Sequence, residues 1–498
     1  MSQRNNPSIN RRSFLRSAGL GMGALASTAG FRVMASGLAP YSGKLLVTLQ
    51  LEGGADVTQF CDPKVNTPGE LKINNWADVS GPDQSGNILF APVADNFNFF
   101  NRFSSDMLVV NGVDAQTNSH ETGRLFNWTG SNAEGRPSLT ALHAAANSPE
   151  QPLAYSVFGG VTSRTSGLIA YNRFQDVSRL QELVKPTEMY WNRGQQLRPD
   201  LEIAEAQRLT RESISALFAS PGLTSRQRRN LTSHKAALDG REGLSRLAER
   251  LPAQDDYEEG ITFTIAENNF WSNLKQQMQG ALLVFESGLG SSADLVLNGF
   301  DSHEEHDAIH EALYTHLAEA IYYFWDYAEQ LNIADRILLV VGSDFGRTNM
   351  YNDGKGKDHW PIGSYMLMEQ GASWGNRVVG ATDALHFPRA INPNSLQIAD
   401  SGIIINPAHV HKALQKYLGL DGMASANGVD FRGVKDIPLF SATMQTQLSA
   451  RSSTLRSVSR RLSTGPPYWQ IAGIPFTENY SLAVDLCPVV GEVLGWVA

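Results

Sequence analysis

Cysteine is nearly absent from this 498-residue chain: only Cys61 and Cys487 occur. They form no Cys-x-x-Cys pair, which excludes a thiolate zinc site and a dithiol redox motif. In an oxidising compartment the two can join, or each can stay buried and free; both readings stand. Basic charge is also short. Lys and Arg total 41 against 50 Asp and Glu, a net charge of −9. Residues 1–36 hold five Arg and no acid, so the rest of the chain carries −9 − 5 = −14. That balance lacks the basic patch of a nucleic-acid binder. Long apolar runs are missing too. The mild run from Ala18 to Gly30 is shorter than the ~20 residues a membrane-spanning helix needs, and no later stretch qualifies. Gly354-Lys355-Gly356-Lys357 lacks the spacing of a phosphate-binding P-loop, which argues against nucleotide binding.

What is present starts at the amino end. Asn10-Arg11-Arg12-Ser13-Phe14-Leu15-Arg16 precedes the Gly- and Ala-rich run, and small residues follow at Ala35 and Ser36. Charged, apolar and small segments in that order mark a removed targeting segment. The arginine pair makes it the twin-arginine form, a receptor-read address and not an anchor. Residues 1–36 are therefore expected to be a twin-arginine signal peptide. The partner during export is then the twin-arginine translocase, and the folded protein ends in the periplasm or beyond. A chance arginine pair before an amphipathic helix is the alternative.

The length suits one large α/β domain with insertions, or two domains. Lys44–Leu51, Met107–Val113, Leu153–Phe158, Leu295–Phe300 and Arg336–Ser343 read as short apolar strands. Ser364–Met368 and Arg377–Val379 add two more. Helices are expected over 121–128, Ser138–Ala146, Glu304–Leu331 and Pro407–Leu418. Residues 197–285 are polar and helix-periodic and read as a helical insertion. The pattern predicts an α/β domain over 40–450, its mostly parallel sheet sandwiched by helices, with a C-terminal extension over 451–498.

Chemistry in open α/β sheets gathers at the carboxyl ends of strands. Four such ends carry polar clusters: Gly53-Gly54-Ala55-Asp56, Asn118 through Arg124, Asn298 through His303, and Ser343 through Thr348, with Asp358-His359-Trp360 beyond. Asp301, His303, Asp344 and His359 fall on one inferred edge. Carboxylates and neutral imidazoles suit zinc, manganese or a similar divalent ion. Taken one by one, such residues also cap helices and fill loops. His303, His306 and His310 share one face if their helix starts early; otherwise the last two are first-turn polar residues. Arg347 suits either an anion clamp or a pair with an acid behind its loop. Lys355 and Lys357 suit steering of an anionic substrate.

In this order the pieces resemble a widespread bacterial family of exported proteins of unknown function, related to alkaline phosphatases and sulfatases. The resemblance runs from about residue 44 to about 420. It is carried by the Arg-Arg-Ser-Phe-Leu signal, Gly53-Gly54, Cys61-Asp62-Pro63-Lys64, His120 through Gly130, Gly299 through His303, Asp344-Phe345-Gly346-Arg347-Thr348 and Asp358-His359-Trp360. It implies an alkaline-phosphatase/sulfatase-like fold and one or two divalent ions (Zn, Mn or Ca). The expected activity is a hydrolase for a phosphate or sulfate ester, on an anionic small molecule or polysaccharide. Carried over residue by residue, it makes Asp56, Asp301, His303, Asp344 and His359 the metal residues. The position nearest the usual first-strand acid is Gln59, a poor ligand, and Phe345 stands where a ligand histidine is usual. His120 falls at the nucleophile position and Arg124 at the stabilising arginine, with Arg347 a further catalytic candidate. His120 suits attack through nitrogen, a ligand role or acid/base work, with Ser119 or Thr122 as other nucleophiles. A non-catalytic binding or assembly protein on the same fold is the alternative.

Overall fold

The computed structural model describes residues 39–441, apart from 134, 160–163, 175–177, 185–187, 190–191, 197–199, 253–255 and 266–267. The signal over 1–36, the extension over 451–498 and Cys487 lie outside the described residues. Cys61 is a buried thiol whose pKa burial pushes up to about 12.

Eight strands make the main sheet: β1 (Leu45–Glu52), β2 (Met107–Asp114), β3 (Tyr155–Val157), β4 (Asn172–Arg173), β5 (Ser292–Asn298), β6 (Ile337–Ser343), β7 (Ile362–Met368) and β8 (Arg377–Val379). Their order is β8-β2-β7-β6-β1-β5-β3-β4. β1 lies parallel to both β5 and β6, and only β7 runs against its neighbours. The mostly parallel sheet follows from the apolar runs of β1 and β6, which fit strands covered on both faces.

Side chains alternate across each strand, and the two faces build two cores. Leu45, Val47, Leu49, Leu339 and Val341 face one core. It includes the buried sides of α1 (Asn96–Phe103), α4 (Leu274–Glu286) and α5 (His306–Gln330). Leu46, Leu338, Val340, Leu108 and Val110 face the other, with α3 (Leu139–Asn147) and α6 (Pro407–Tyr417). On that second side α2 (His120–Thr129) buries Gly123 and Asn127; the Asn127 carbonyl accepts from His411 of α6 at 2.8 Å. This is the expected sandwich: outside the insertion, each strand and helix expected from the sequence is found within about three residues of its expected ends, and β4 and α1 are additions to that set.

The region read as a helical insertion is only partly so. Asp200–Phe218, Ser225–Asp239 and Arg241–Arg250 are helical, but Ile261–Ile265 and Asn268–Ser272 pair as an antiparallel hairpin. The segment's last helix, α4, belongs to the first core. No helix among the described residues is long and apolar enough to cross a membrane.

The register sets the site. Glu52 stands opposite Asn298, Leu51 opposite Ser343, and Ile362 opposite Asp114. The loops after β1, β2, β5 and β6 therefore leave from one edge. A two-residue ladder, Gly346–Arg347 against His359–Trp360, folds the long loop after β6 back over that edge.

Candidate metal centre

Three loops bring three imidazoles onto one carboxylate. His120 opens α2 after its N-cap Ser119, His303 and Asp301 follow β5, and His359 returns on the ladder. His359 Nε2 is 3.2 Å from His120 Nε2, 3.1 Å from His303 Nε2 and 3.2 Å from Asp301 Oδ1. His303 Nε2 is 3.0 Å from Asp301 Oδ1, and His120 Nε2 is 3.5 Å from Asp301 Oδ2. Ligand atoms of His120, Asp301 and His359 all lie within 4.8 Å of one another. The Asp301 and His303 side chains are 48% and 46% exposed, so the cluster opens to solvent.

The other ring nitrogens decide what these distances mean. His120 Nδ1 is 2.5 Å from Asp344 Oδ2, His303 Nδ1 is 2.9 Å from Asp358 Oδ1, and His359 Nδ1 is 2.9 Å from the Asn118 carbonyl. Each acceptor is an oxygen, so each Nδ1 carries the proton and donates it; the tautomers are assigned from these partners. The Nε2 lone pairs of His120 and His303 then each face that of His359 and the Asp301 carboxylate, an arrangement that repels unless a cation or proton lies between them. Ligands about 2.0–2.1 Å from a tetrahedral centre stand about 3.3 Å apart. His120, Asp301 and His359 have the donors and the spacing to hold a divalent ion, with His303 beside them on His359 and Asp301 and with the carboxylate–histidine pairing that orients metal-bound imidazoles.

Electrostatics point the same way. The Asp344 hydrogen bond is the largest influence on His120 and raises its pKa, outweighing burial. Burial pushes the Asp301 carboxyl up, but the Arg347 hydrogen bond and charge hold it below the usual range. The His303 hydrogen bond likewise lowers Asp358.

Other candidates sit elsewhere than the sequence implied. Asp344 is fully buried behind His120, and its oxygens accept from the Gly53 and Gly54 amides at 3.2 and 2.7 Å. It orients His120; its lone pairs are spent, so it is placed as a support and not as a ligand. Asp56 is not in the cluster. It is buried, holding Lys357 Nζ at 2.6 Å and His306 Nε2 at 2.9 Å. Arg347, also buried, donates to Asp301 at 2.6 Å and to the Gly54 and Lys357 carbonyls at 3.0 and 2.9 Å. Of its two readings, the pair with an acid is the one the structure shows. Arg124 is held on Glu52. α5 begins at His306, so His303 stays in the loop and does not share a face with His306 and His310. Lys357 is fully buried and steers nothing.

Gly53 shows why a glycine pair follows β1. Its φ is +115°, and a Cβ there would meet the Asp301 amide at 2.4 Å. Only glycine lets the first loop pass that close to the cluster's carboxylate.

Residues 43–421 match the family described as protein of unknown function, DUF1501. The chain belongs to that family. No curated protein matches it. Among solved structures, it is similar to a glycosaminoglycan-metabolism protein of Bacteroides thetaiotaomicron: 9% identity, covering 77% of this chain and 74% of the other, TM-score 0.35. It is also similar to the lipoteichoic acid synthase LtaP of Listeria monocytogenes: 12% identity, 81% and 76% covered, TM-score 0.29. A magnesium-bound variant of TAB5 alkaline phosphatase matches at 11% identity, with 68% and 95% covered and TM-score 0.27. Likenesses this distant say nothing of chemistry, and the architecture of this DUF1501 protein rests on its own strand order.

Proposed function

We propose that this DUF1501 protein is an exported, divalent-metal-dependent hydrolase of a phosphate or sulfate ester on an anionic small molecule or polysaccharide. One observation carries the reading: three imidazole Nε2 atoms, each with its Nδ1 proton committed to an oxygen, converge on Asp301 at an open sheet edge.

His120, Asp301 and His359 would hold the ion, with His303 beside them. An imidazole-rich set favours zinc or manganese over calcium, which takes oxygen ligands. The bound ion supplies Lewis acidity towards an ester oxygen and towards water. The protein's own residues do the rest. Asp344, Asp358 and the Asn118 carbonyl fix which nitrogens face inward. Arg347 fixes the Asp301 carboxylate. α2 presents its N-terminus at the cluster, with no side-chain cap from Ser119, and that end of a helix favours an anion. Arg124, one turn on, would have to leave Glu52 to reach a substrate. Passage through the twin-arginine route fits a site of this kind, since the cation can be loaded before export.

A binding protein without turnover is the second reading. It is favoured by what surrounds the Nε2 atoms: among the described residues their polar contacts are imidazoles and Asp301, with no hydroxyl or thiol nucleophile. Elemental analysis of protein from its native compartment, then a panel of aryl phosphate and sulfate esters, tests both. A bound divalent ion, with hydrolysis that disappears in Asp301→Ala and His359→Ala, is the expected result. Protein that stays inert after loading with zinc, manganese and calcium sinks the enzyme.

A further inference from the structure

A second polar cluster lies beneath the first, shut off from solvent. Lys357, Asp56, Thr58, Asn74, His306 and His310 are all fully buried. Lys357 Nζ is 2.6 Å from Asp56 Oδ2, 3.2 Å from Asn74 Oδ1 and 3.4 Å from Thr58 Oγ1. Three oxygens thus meet the three N–H donors of an ammonium. The Tyr351 ring covers it, 5.1 Å from Nζ to the ring centroid. Asp56 has no spare capacity: Oδ1 accepts from the Thr58 amide and hydroxyl, and Oδ2 takes His306 as well as the lysine.

A carboxylate, a hydroxyl and an amide oxygen are donors a small hard cation takes. Here the chain brings its own cation. We propose that the Lys357 ammonium is a built-in cation that fills this oxygen cage and thereby positions the loops carrying the metal cluster. The same residue ties those loops through its backbone. Its amide donates to the Ser302 carbonyl at 3.1 Å, next to Asp301, and its carbonyl accepts from Arg347 at 2.9 Å. From Asp56 the network runs through His306 to the Ser302 hydroxyl, 2.7 Å from His306 Nδ1. Lys357 is then a positioning residue for His303, Asp301 and His359, and the wild-type protein takes one exchangeable ion per chain. This rests on the cluster being a cation site, and the test separates the two.

The test uses zinc calorimetry and thermal unfolding on the full chain, comparing wild type with Lys357→Ala, Asp56→Asn/Lys357→Ala and Asp56→Asn/Lys357→Met. Wild type should bind one zinc. Lys357→Ala should unfold at a lower temperature and bind zinc more weakly by on the order of 10- to 100-fold, as for other supports of metal ligands. Refolding it with propylammonium, the deleted side chain as a free cation, should restore both, but not where Asp56→Asn has removed the cage's charge. If Lys357→Ala does not fold, the charge-neutral Asp56→Asn/Lys357→Met pair still reads the proposal, and weakened zinc binding in a folded protein supports it. Unchanged zinc affinity in that pair, or no effect of propylammonium on folded Lys357→Ala, overturns it. Wild type that binds no zinc defeats the metal reading alone, because propylammonium rescue of unfolding still reports on the cage.

Discussion

His120 Nδ1 stands 2.5 Å from Asp344 Oδ2, and that contact decides which nitrogen of His120 faces the cluster. Asp344→Asn should keep the fold, since an amide oxygen can still accept from the Gly54 amide, now at 2.7 Å. It should cost about 1–3 kcal/mol, the range for a lost buried hydrogen-bond partner. Affinity for zinc should fall by roughly 10- to 100-fold, because the imidazole loses its orientation and its basicity. Competition calorimetry against a chelator measures it. An unchanged affinity would detach Asp344 from the site.

The same contact gives a pH dependence with two opposite signs. Asp344 raises the His120 pKa above 6.5, so the folded, metal-free protein holds that proton more tightly than the unfolded chain. The stabilisation is full below 6.5 and disappears as pH rises through the raised value. Cation binding needs Nε2 free and follows the reverse course. As pH rises from about 6.5 through the raised His120 value, the metal-free protein should lose stability while zinc affinity climbs. Unfolding temperature and zinc titration over that window check both, and Asp344→Asn should move the two transitions down together.

Asp294 offers a stability test far from the cation. It is fully buried on β5, accepting from Thr48 Oγ1 at 2.7 Å and from the Tyr155 hydroxyl. Burial raises its pKa from 3.8 to about 6. A raised acid contributes stability below 3.8 that disappears by about pH 6, equivalent to about 3 kcal/mol when fully lost. Asp294→Asn, neutral at every pH, should therefore be the more stable protein at pH 7. Part of that gain is offset by poorer hydrogen bonds. The advantage should shrink as pH falls from 6 to 4. Denaturant unfolding at several pH values reads it, and a variant less stable than wild type at pH 7 contradicts it.

Much of the fold was legible because strands covered on both faces leave continuous apolar runs. Met107–Asp114 and Ile337–Ser343 need no partner to be seen. His303 and His359 were legible as imidazoles beside acids at strand ends. Lys357 was not. It shares a glycine-rich loop with Lys355, and its acid, Asp56, is 301 positions away. One signal was there: residues two apart tend to share a face, but Gly354 and Gly356 break the extended pattern, and Lys355 itself has a φ of +56°. That local twist sends one lysine out and the other in. His306 and His310 carried a clearer sign. With Tyr314 they repeat every four residues, on the helix side that also buries Ile309 and Leu313. The hairpin at 261–272 was hidden because its second strand, Asn-Asn-Phe-Trp-Ser, is polar and keeps Trp271 exposed.

Gly356 offers the sharpest test of how the loops meet. A Cβ there would stand 1.8 Å from the His303 carbonyl oxygen and 1.9 Å from its carbon, both backbone atoms that cannot swing aside. Asn352 donates to the same carbonyl at 3.0 Å, so the two loops are laced together at that point. Gly356→Ala must push them apart and carry His359 away from His303. It should cost roughly 1–3 kcal/mol, as other overpacking does, and weaken zinc binding by on the order of 10- to 100-fold. Gly354→Ala is the control two residues earlier. Its Cβ would first meet the Glu304 side chain at 3.2 Å, which can move, so affinity should hold. Calorimetry on the pair checks the contrast. Equal zinc affinity in the two variants would show that His303 and His359 need not approach each other to take up the ion.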